Sequence, residues 1–276
     1  MTARISVTMA YYQRPDLLRN SLWAYHHLHP GRDDVEFVVV DDKSAEELKA
    51  KPVVEELRDV LDIKLFYRED KTGTNPAQPI NISVKQASGE TLVITNPETL
   101  PLTPILDQLD AAGVPQGSYM IAPCYSVSEE KQKIIAGLDP TKPSFVDDIR
   151  ERLQMNDRQA VRDGDDAWYV PPRLCPRALY FFAAMPRADF IDIGGIDEDY
   201  QMGYAWEDTD FINRLAMKGT QMSFLDGAVV LHQHHYTSPA SEGAVALDRR
   251  ENDQLFQSKM AARQWRVNEG REWGVL

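Results

Sequence analysis

The sequence predicts an α/β protein with a mixed, mainly parallel central sheet and helices on both faces. Three observations carry that expectation. Short β-type runs alternate with helical stretches through the first half, the pattern of βαβ units. Residues 35–40 (Val-Glu-Phe-Val-Val-Val) form the clearest strand and read as a buried one. With 276 residues, 43% of them hydrophobic, the chain is long enough to close one sizeable core, and a single domain over 1–276 is expected.

The elements follow in order. Residues 5–9 read as the first strand. Pro15 sits at a first helical position, and Leu18, Leu22 and Tyr25 then recur at helical spacing, giving a helix that faces the sheet. The strand over 35–40 places Asp41 and Asp42 at its carboxyl end, and Ser44 with Glu47 has the spacing of a capping box for the next helix. A third strand over 63–67, a helix over 77–86 after a Gly/Pro-rich loop, a fourth strand over 91–95, a helix over 103–110 and a fifth strand over 119–122 complete the first half. Residues 156–176 shift to Asp, Gly, Pro and Arg around Trp168 and Tyr169, a long connection of the kind that folds over a site. It reads either as a lid or as a packed loop. A strand over 179–185, a helix from Glu207, a strand over 228–232 and a largely polar helix over 247–265 end the chain.

Charge and cysteine usage narrow the partners. A formal net charge of -13 argues against nucleic acid or an anionic membrane as the main partner, because both need clustered Lys and Arg. It leaves room for an anionic ligand held through a metal. The apolar run at 5–9 is too short for a signal peptide or a membrane span, so a soluble, cytoplasmic protein without an integral membrane segment is expected. The two cysteines, Cys124 and Cys175, lack a zinc-like or C-x-x-C spacing and read as buried free thiols.

In an open α/β sheet, ligands settle at the carboxyl ends of the strands, where four polar clusters fall: Ala10-Tyr11-Tyr12, Asp41-Asp42, Asn96-Pro97-Glu98 and His232. The densest passage runs from Gly194-Gly195-Ile196-Asp197-Glu198 to Trp206-Glu207-Asp208-Thr209-Asp210-Phe211, with Arg214 a turn later. A solvated face has no need of glycines and aromatics between its charges, so the passage reads as the floor of a site. Each piece also has a plainer reading. An Asp after a strand is often a turn residue, the His232 to His235 stretch is a histidine-rich surface turn, and Glu207, Asp208 and Asp210 are first-turn acids favoured by the helix dipole. Asp210 has the spacing to pair with Arg214. His26, His27 and His29 end the first helix and receive no functional role.

These residues resemble the nucleotide-sugar glycosyltransferases of the GT-A fold, in particular the inverting family 2-like enzymes and the carboxyl-terminal module of the β-1,4-galactosyltransferases. The resemblance covers roughly residues 4–235. It rests on the opening strand and loop through Tyr12, Arg14 and Pro15, on Val38-Val39-Val40-Asp41-Asp42-Lys43-Ser44, on Gly194-Gly195-Ile196-Asp197-Glu198, and on Trp206-Glu207-Asp208. It implies a nucleotide-binding half over 1–100, an acceptor-binding half over 101–235 and a helical tail over 236–276. Donor binding falls to Ala10, Tyr11, Tyr12, Arg14, Asp41, Asp42 and Asn96. Trp206, Gly195 and Trp168 are assigned to the acceptor or sugar, Glu207 binds hydroxyls beside them, and Asp208 is the base.

The family places an Asp-x-Asp after the fourth strand to hold a divalent cation, which stabilises the leaving diphosphate. Here the matching positions are Asn96-Pro97-Glu98, so only Glu98 keeps a carboxylate. A His after the late strand completes the metal site in the galactosyltransferase-like enzymes, which points to His232. His234 lies on the same side of an extended segment. Imidazole beside oxygen ligands suits Mn²⁺, with Mg²⁺ as the other choice. The expected activity is transfer of a sugar from a nucleotide-sugar, on UDP, to a hydroxyl of a glycan or other acceptor, with inversion. A retaining transferase on the same fold and a non-catalytic nucleotide- or sugar-binding module are the alternatives.

Overall fold

The computed structural model describes residues 4–161, 164–172, 178–225, 227–235 and 242–276, with side chains from 249 onward in the last stretch. Cys175, Arg173 and Arg177 lie outside the described residues. The elements run β1 (Ile5–Tyr11), α1 (Pro15–Leu28), β2 (Val35–Asp41), α2 (Lys51–Leu57), β3 (Asp62–Tyr67), α3 (Ala77–Gln86), β4 (Thr91–Thr95), β5 (Thr99–Pro101), α4 (Ile105–Ala112), β6 (Ser118–Ile121), β7 (Cys124–Ser126), α5 (Glu129–Ala136) and α6 (Phe145–Arg152). They continue with β8 (Ala167–Val170), β9 (Phe182–Pro186), α7 (Arg187–Asp192), α8 (Glu207–Lys218), β10 (Gln221–Phe224), β11 (Val230–His232) and α9 (Glu242–Ala261).

A seven-stranded sheet has the order β10-β6-β9-β4-β1-β2-β3. Only β9 runs antiparallel, between β4 and β6, and the remaining pairs are parallel. This is the mixed, mainly parallel sheet that the strand runs predicted. β2 is buried along its whole length, as expected where helices cover both faces. The core gathers Ile5, Val7, Met9, Phe37, Val39, Leu92 and Ile94 from the strands with Leu18, Leu22 and Tyr25 from α1. Each such side chain contributes about 1.5–3 kcal/mol on burial.

The second sheet, of four strands in the order β5-β11-β7-β8, was not foreseen. β5, β7 and β11 have three residues each, too few to show a period. With α5 and α6 it encloses its own apolar cluster, including Leu100, Tyr125, Ile135, Phe145, Ile149 and Leu231. Within the 156–176 connection, Trp168 and Tyr169 take the packed reading. Trp168 meets Tyr125 edge-on at 5.1 Å between ring centroids, and Tyr169 stacks on Phe181 at 5.1 Å.

The capping box at Ser44 does not form. A 3-10 turn occupies Glu46–Leu48 and α2 begins at Lys51. Asp41 explains the difference, because its carboxylate accepts the backbone N–H of Ser44 at 2.9 Å and of Ala50 at 3.0 Å. The Ser44 hydroxyl instead accepts the N–H of Gln13, tying the β1 and β2 loops together. Cys124 is a buried free thiol, and burial pushes its pKa well up. No helix among the described residues is long and apolar enough to cross a membrane.

The tail after α9 folds back onto the Gly194 passage. Gly194 (φ +81°) allows the Val267 backbone to approach so closely that a side chain there would collide with it, and Gly195 (φ +73°) does the same for Trp273 and Asn81. Asn268 donates to the carbonyls of Gly194 and Ile196 at 2.7 and 2.8 Å, and Gly274 N–H reaches Glu198 at 2.8 Å. Lys259 pairs with Asp197 and Asp199. Half the acids of the passage therefore anchor the C-terminal strap.

Candidate active site

A cavity of about 270 Å³ opens at the carboxyl ends of β1, β2 and β4. It is lined by Ala10 and Tyr11 at the end of β1, Tyr12 and Arg14 after it, Asp42 after β2, Asn96, Pro97 and Glu98 after β4, and Glu207 with Asp208 at the start of α8. Residues from the two ends of the sequence thus meet in one space. Lys71, Thr74, Pro76, Pro79 and Tyr180 complete the lining; they follow no recognisable strand-end motif and carry no signal in the sequence.

One wall is built on Asp42. Its two oxygens take Arg68 Nη1 and Lys71 Nζ, each at 2.9 Å, and Lys71 Nζ lies 3.3 Å from the centre of the Tyr12 ring. Asp41, buried and committed to the backbone N–H groups of Ser44 and Ala50, holds the loop and does not line the cavity. The assignment of Asp41 to donor binding is replaced by this structural role. Tyr11 accepts the Arg14 N–H on its phenol oxygen, while its O–H donates to Leu48 O; burial raises its pKa.

The second wall centres on Glu98. β5 and β11 pair antiparallel, with His232 opposite Thr99, so the late strand delivers its histidine beside the carboxylate. Glu98 Oε1 lies 3.0 Å from Arg14 Nη1, 3.8 Å from His232 Nε2 and 3.7 Å from His235 Nε2. Burial pushes the Glu98 pKa up, but Arg14, His235 and His232 outweigh it and hold the carboxyl below its ordinary value. His235 takes the place expected for His234, whose backbone N–H turns to Gln132 at 3.0 Å. The alternation that favoured His234 ends at Gln233. Its N–H still bonds Glu98 O, but its buried amide is fixed by Asn20, Ser21 and Leu17 of α1, and the chain leaves the strand there.

The Glu98, His232 and His235 ligand atoms lie within 4.8 Å of one another, and Glu98 Oε2 is buried without a hydrogen-bond partner. An orphaned carboxylate oxygen beside two imidazoles is a donor set that fits a divalent transition metal.

The third wall is the start of α8. Glu207 is buried; Asn75 Nδ2 donates to its Oε2 at 2.7 Å and the Tyr180 O–H to its Oε1 at 3.5 Å. Burial first, and the neighbouring Asp208 charge second, push its pKa up to about 8. Asp208 is partly exposed and accepts the N–H and hydroxyl of Thr209 on one oxygen. The turn that aims both is strained, because Ala205 and Trp206 have positive φ (62° and 76°) without being glycines. Helix α9 supports it. Asn252 donates to Ala205 O at 2.9 Å and Tyr200 O at 3.2 Å, and Phe256 stacks on Trp206 at 4.7 Å.

Trp206, expected as a sugar platform, thus stacks on Phe256 and is not among the residues that line this cavity. Gly195 and Trp168 are likewise absent from the cavity lining; Gly195 receives Trp273, and Trp168 packs on Tyr125. Asp210 pairs with Arg214 at 2.6 Å, both fully buried, as their spacing predicted. Arg214 also holds Gly195 O at 2.9 Å.

A family model described as the N-terminal domain of galactosyltransferase matches residues 182–238, which include Glu207, Asp208 and the two histidines beside Glu98. The validoxylamine A glucosyltransferases of Streptomyces hygroscopicus subsp. jinggangensis (strain 5008) and subsp. limoneus are 27% identical over 79% of this chain, covering 53% and 49% of their own length. The chain thus spans about half the length of these curated relatives. Among solved structures, three that superpose on this chain are the following. GalNAc-T7 with UDP, GalNAc and Mn²⁺ matches with a TM-score of 0.60 and 12% identity, covering 94% of this chain and 50% of that one. The mannosyltransferase PcManGT of Pyrobaculum calidifontis, in complex with GDP-Man and Mn²⁺, matches at 0.58 and 18%, covering 95% and 65%. S. aureus TarS matches at 0.55 and 18%, covering 94% and 40%. The chain has the GT-A glycosyltransferase fold.

Within the GT-A fold the cavity occupies the strand ends where ligands bind in open α/β sheets. At Asn96-Pro97-Glu98 one carboxylate remains, and His232 and His235 bring ring nitrogens within 4.8 Å of it.

Proposed function

We propose that the protein is a metal-dependent glycosyltransferase that moves a sugar from a nucleotide-sugar, on UDP, to an acceptor hydroxyl with inversion. The observation that carries this reading is the convergence on one cavity of Asp42, of Glu98 with His232 and His235 beside it, and of the adjacent carboxyls Glu207 and Asp208, the first with a raised pKa. Ala10, Tyr12 and Asp42 would hold the nucleoside, and Arg14 and Asn96 the ribose and diphosphate. Glu98, His232 and His235 would hold Mn²⁺ or Mg²⁺, which when bound supplies charge stabilisation to the leaving diphosphate.

The two α8 carboxylates divide the remaining work. A group with pKa near 8 is mostly protonated at neutral pH, so Glu207 is suited to donate a hydrogen bond to a substrate oxygen. Asp208 would take the proton of the acceptor hydroxyl as that oxygen bonds the anomeric carbon and the bond to the diphosphate breaks, leaving the electron pair on the diphosphate. The sheet, both α8 carboxylates and the α9 strap would act as one domain, since the strap supports the turn that aims them.

Glu98→Ala and His235→Ala are each expected to weaken Mn²⁺-dependent UDP binding by about tenfold or more in calorimetry, the range seen when a metal's supporting groups are removed. His234→Ala should leave it unchanged. Equal effects of His234 and His235 would remove the triad from the proposal.

A further inference from the structure

Among the described residues, both cations that line the cavity are already neutralised: Lys71 by Asp42 at 2.9 Å and Arg14 by Glu98 at 3.0 Å. The Arg14 contact is the more consequential one, because Glu98 Oε1 is also the oxygen nearest both histidines. A guanidinium on that oxygen occupies the electrostatic place of a divalent cation. Two positive groups cannot share this one carboxylate at low cost, even with its Oε2 left without a hydrogen-bond partner, since like charges a few ångströms apart in a buried site repel strongly. Arg14 is also free to leave. Its side chain is 32% exposed against 8% for Glu98, its stem is flexible, and it lines the same cavity in which the diphosphate would lie.

We propose that Arg14 couples the metal site to the donor site by exchanging partners: it neutralises Glu98 until a divalent cation takes that carboxylate, and then pairs with the donor's diphosphate. This rests on the metal-dependent reading above. The consequence is reciprocal. Mn²⁺ binding alone must displace Arg14 and leave it unpaired beside a divalent charge, so it is weak. With a nucleoside diphosphate present, the displaced guanidinium gains a bidentate anionic partner, so each ligand tightens the other by the same factor. A site whose anion was merely waiting for metal would show strong Mn²⁺ binding without nucleotide.

The test measures Mn²⁺ affinity by electron paramagnetic resonance and calorimetry, with and without saturating UDP, in the wild-type chain and in Arg14→Gln and Arg14→Lys. For Arg14→Gln, Mn²⁺ alone is expected to bind about fivefold tighter or better than in wild type, and the UDP-induced tightening is expected to fall by about fivefold or more. Arg14→Lys, which keeps the charge but not the planar fork, should fall between the two, and it keeps the test valid if the glutamine variant folds poorly. Unchanged Mn²⁺ affinity and unchanged coupling in both variants would overturn the exchange while leaving the metal site standing. Absence of any Mn²⁺ binding to wild type, with or without UDP, would overturn the metal-dependent reading itself and the exchange with it.

Discussion

Asp208→Asn is expected to lower sugar transfer by about 10²–10⁴-fold, the range for losing a positioned general base, while UDP affinity in the presence of Mn²⁺ stays within about twofold of wild type. The amide is isosteric and can still accept the Thr209 N–H, so the local turn keeps its shape. What it loses is the ability to take a proton. Steady-state kinetics beside calorimetry separates the outcomes, since an interaction made only in the transition state lowers kcat without weakening donor binding. A parallel loss of UDP affinity would place Asp208 in donor binding or in the fold, and the assignment of the base would fail.

The neighbouring substitution should behave in the opposite way. With its pKa raised to about 8, Glu207 prefers its neutral form in the folded protein, whereas its ordinary value is 4.5. The folded state therefore holds an extra proton between those limits, and stability falls as pH rises through that window. Glu207→Gln removes this dependence, because the amide cannot ionise. The variant is expected to match wild type in thermal stability near pH 4.5 and to exceed it increasingly up to about pH 8.5. The expected gain is roughly 2–5 kcal/mol, each tenfold change in acidity being worth about 1.4 kcal/mol. The groups facing the carboxyl are Asn75, Tyr180 and Asp208, and an amide can still accept from Asn75. Since Asp208 contributes to the raised pKa, Asp208→Asn should flatten the same profile in part. At neutral pH, Glu207→Gln keeps a hydrogen-bond donor and should lose less than about tenfold in transfer, far less than Asp208→Asn. A pH-independent stability difference would mean that Glu207 is ionised in the fold and that the separation between the two carboxyls is absent.

Much of the fold was legible because strand and helix periods are local. α3 (Ala77–Gln86) and β4 (Thr91–Thr95) fall on the predicted residues, and α8 starts at Glu207 as expected. One side of the cavity lining was equally legible, since Ala10 lies at the end of β1 and Tyr12, Asp42, Asn96 and Glu98 follow strand ends of the main sheet. What could not be read depended on partners distant in sequence. The glycines and acids of 194–199 look like a binding loop, but their partners are Lys259, Val267, Asn268 and Trp273, and no local pattern links a loop to a strap some seventy residues later. The stacking of Trp206 on Phe256 of α9 was hidden for the same reason. His235 displaced His234 because strand alternation was extended past Gln233, where the ladder stops. Asn75 and Tyr180, which tune Glu207, carry no sequence signal beyond being polar residues in connecting segments.

Release of nucleotide from UDP- and GDP-sugars, followed with Mn²⁺ and a mixture of hydroxyl acceptors, tests the central claim most directly. The account predicts release from at least one UDP-sugar that depends on Mn²⁺, stops with chelator and is lost in Asp208→Asn. Binding of UDP by calorimetry without release from any nucleotide-sugar would contradict it, and would make the protein a nucleotide-binding module on a transferase fold.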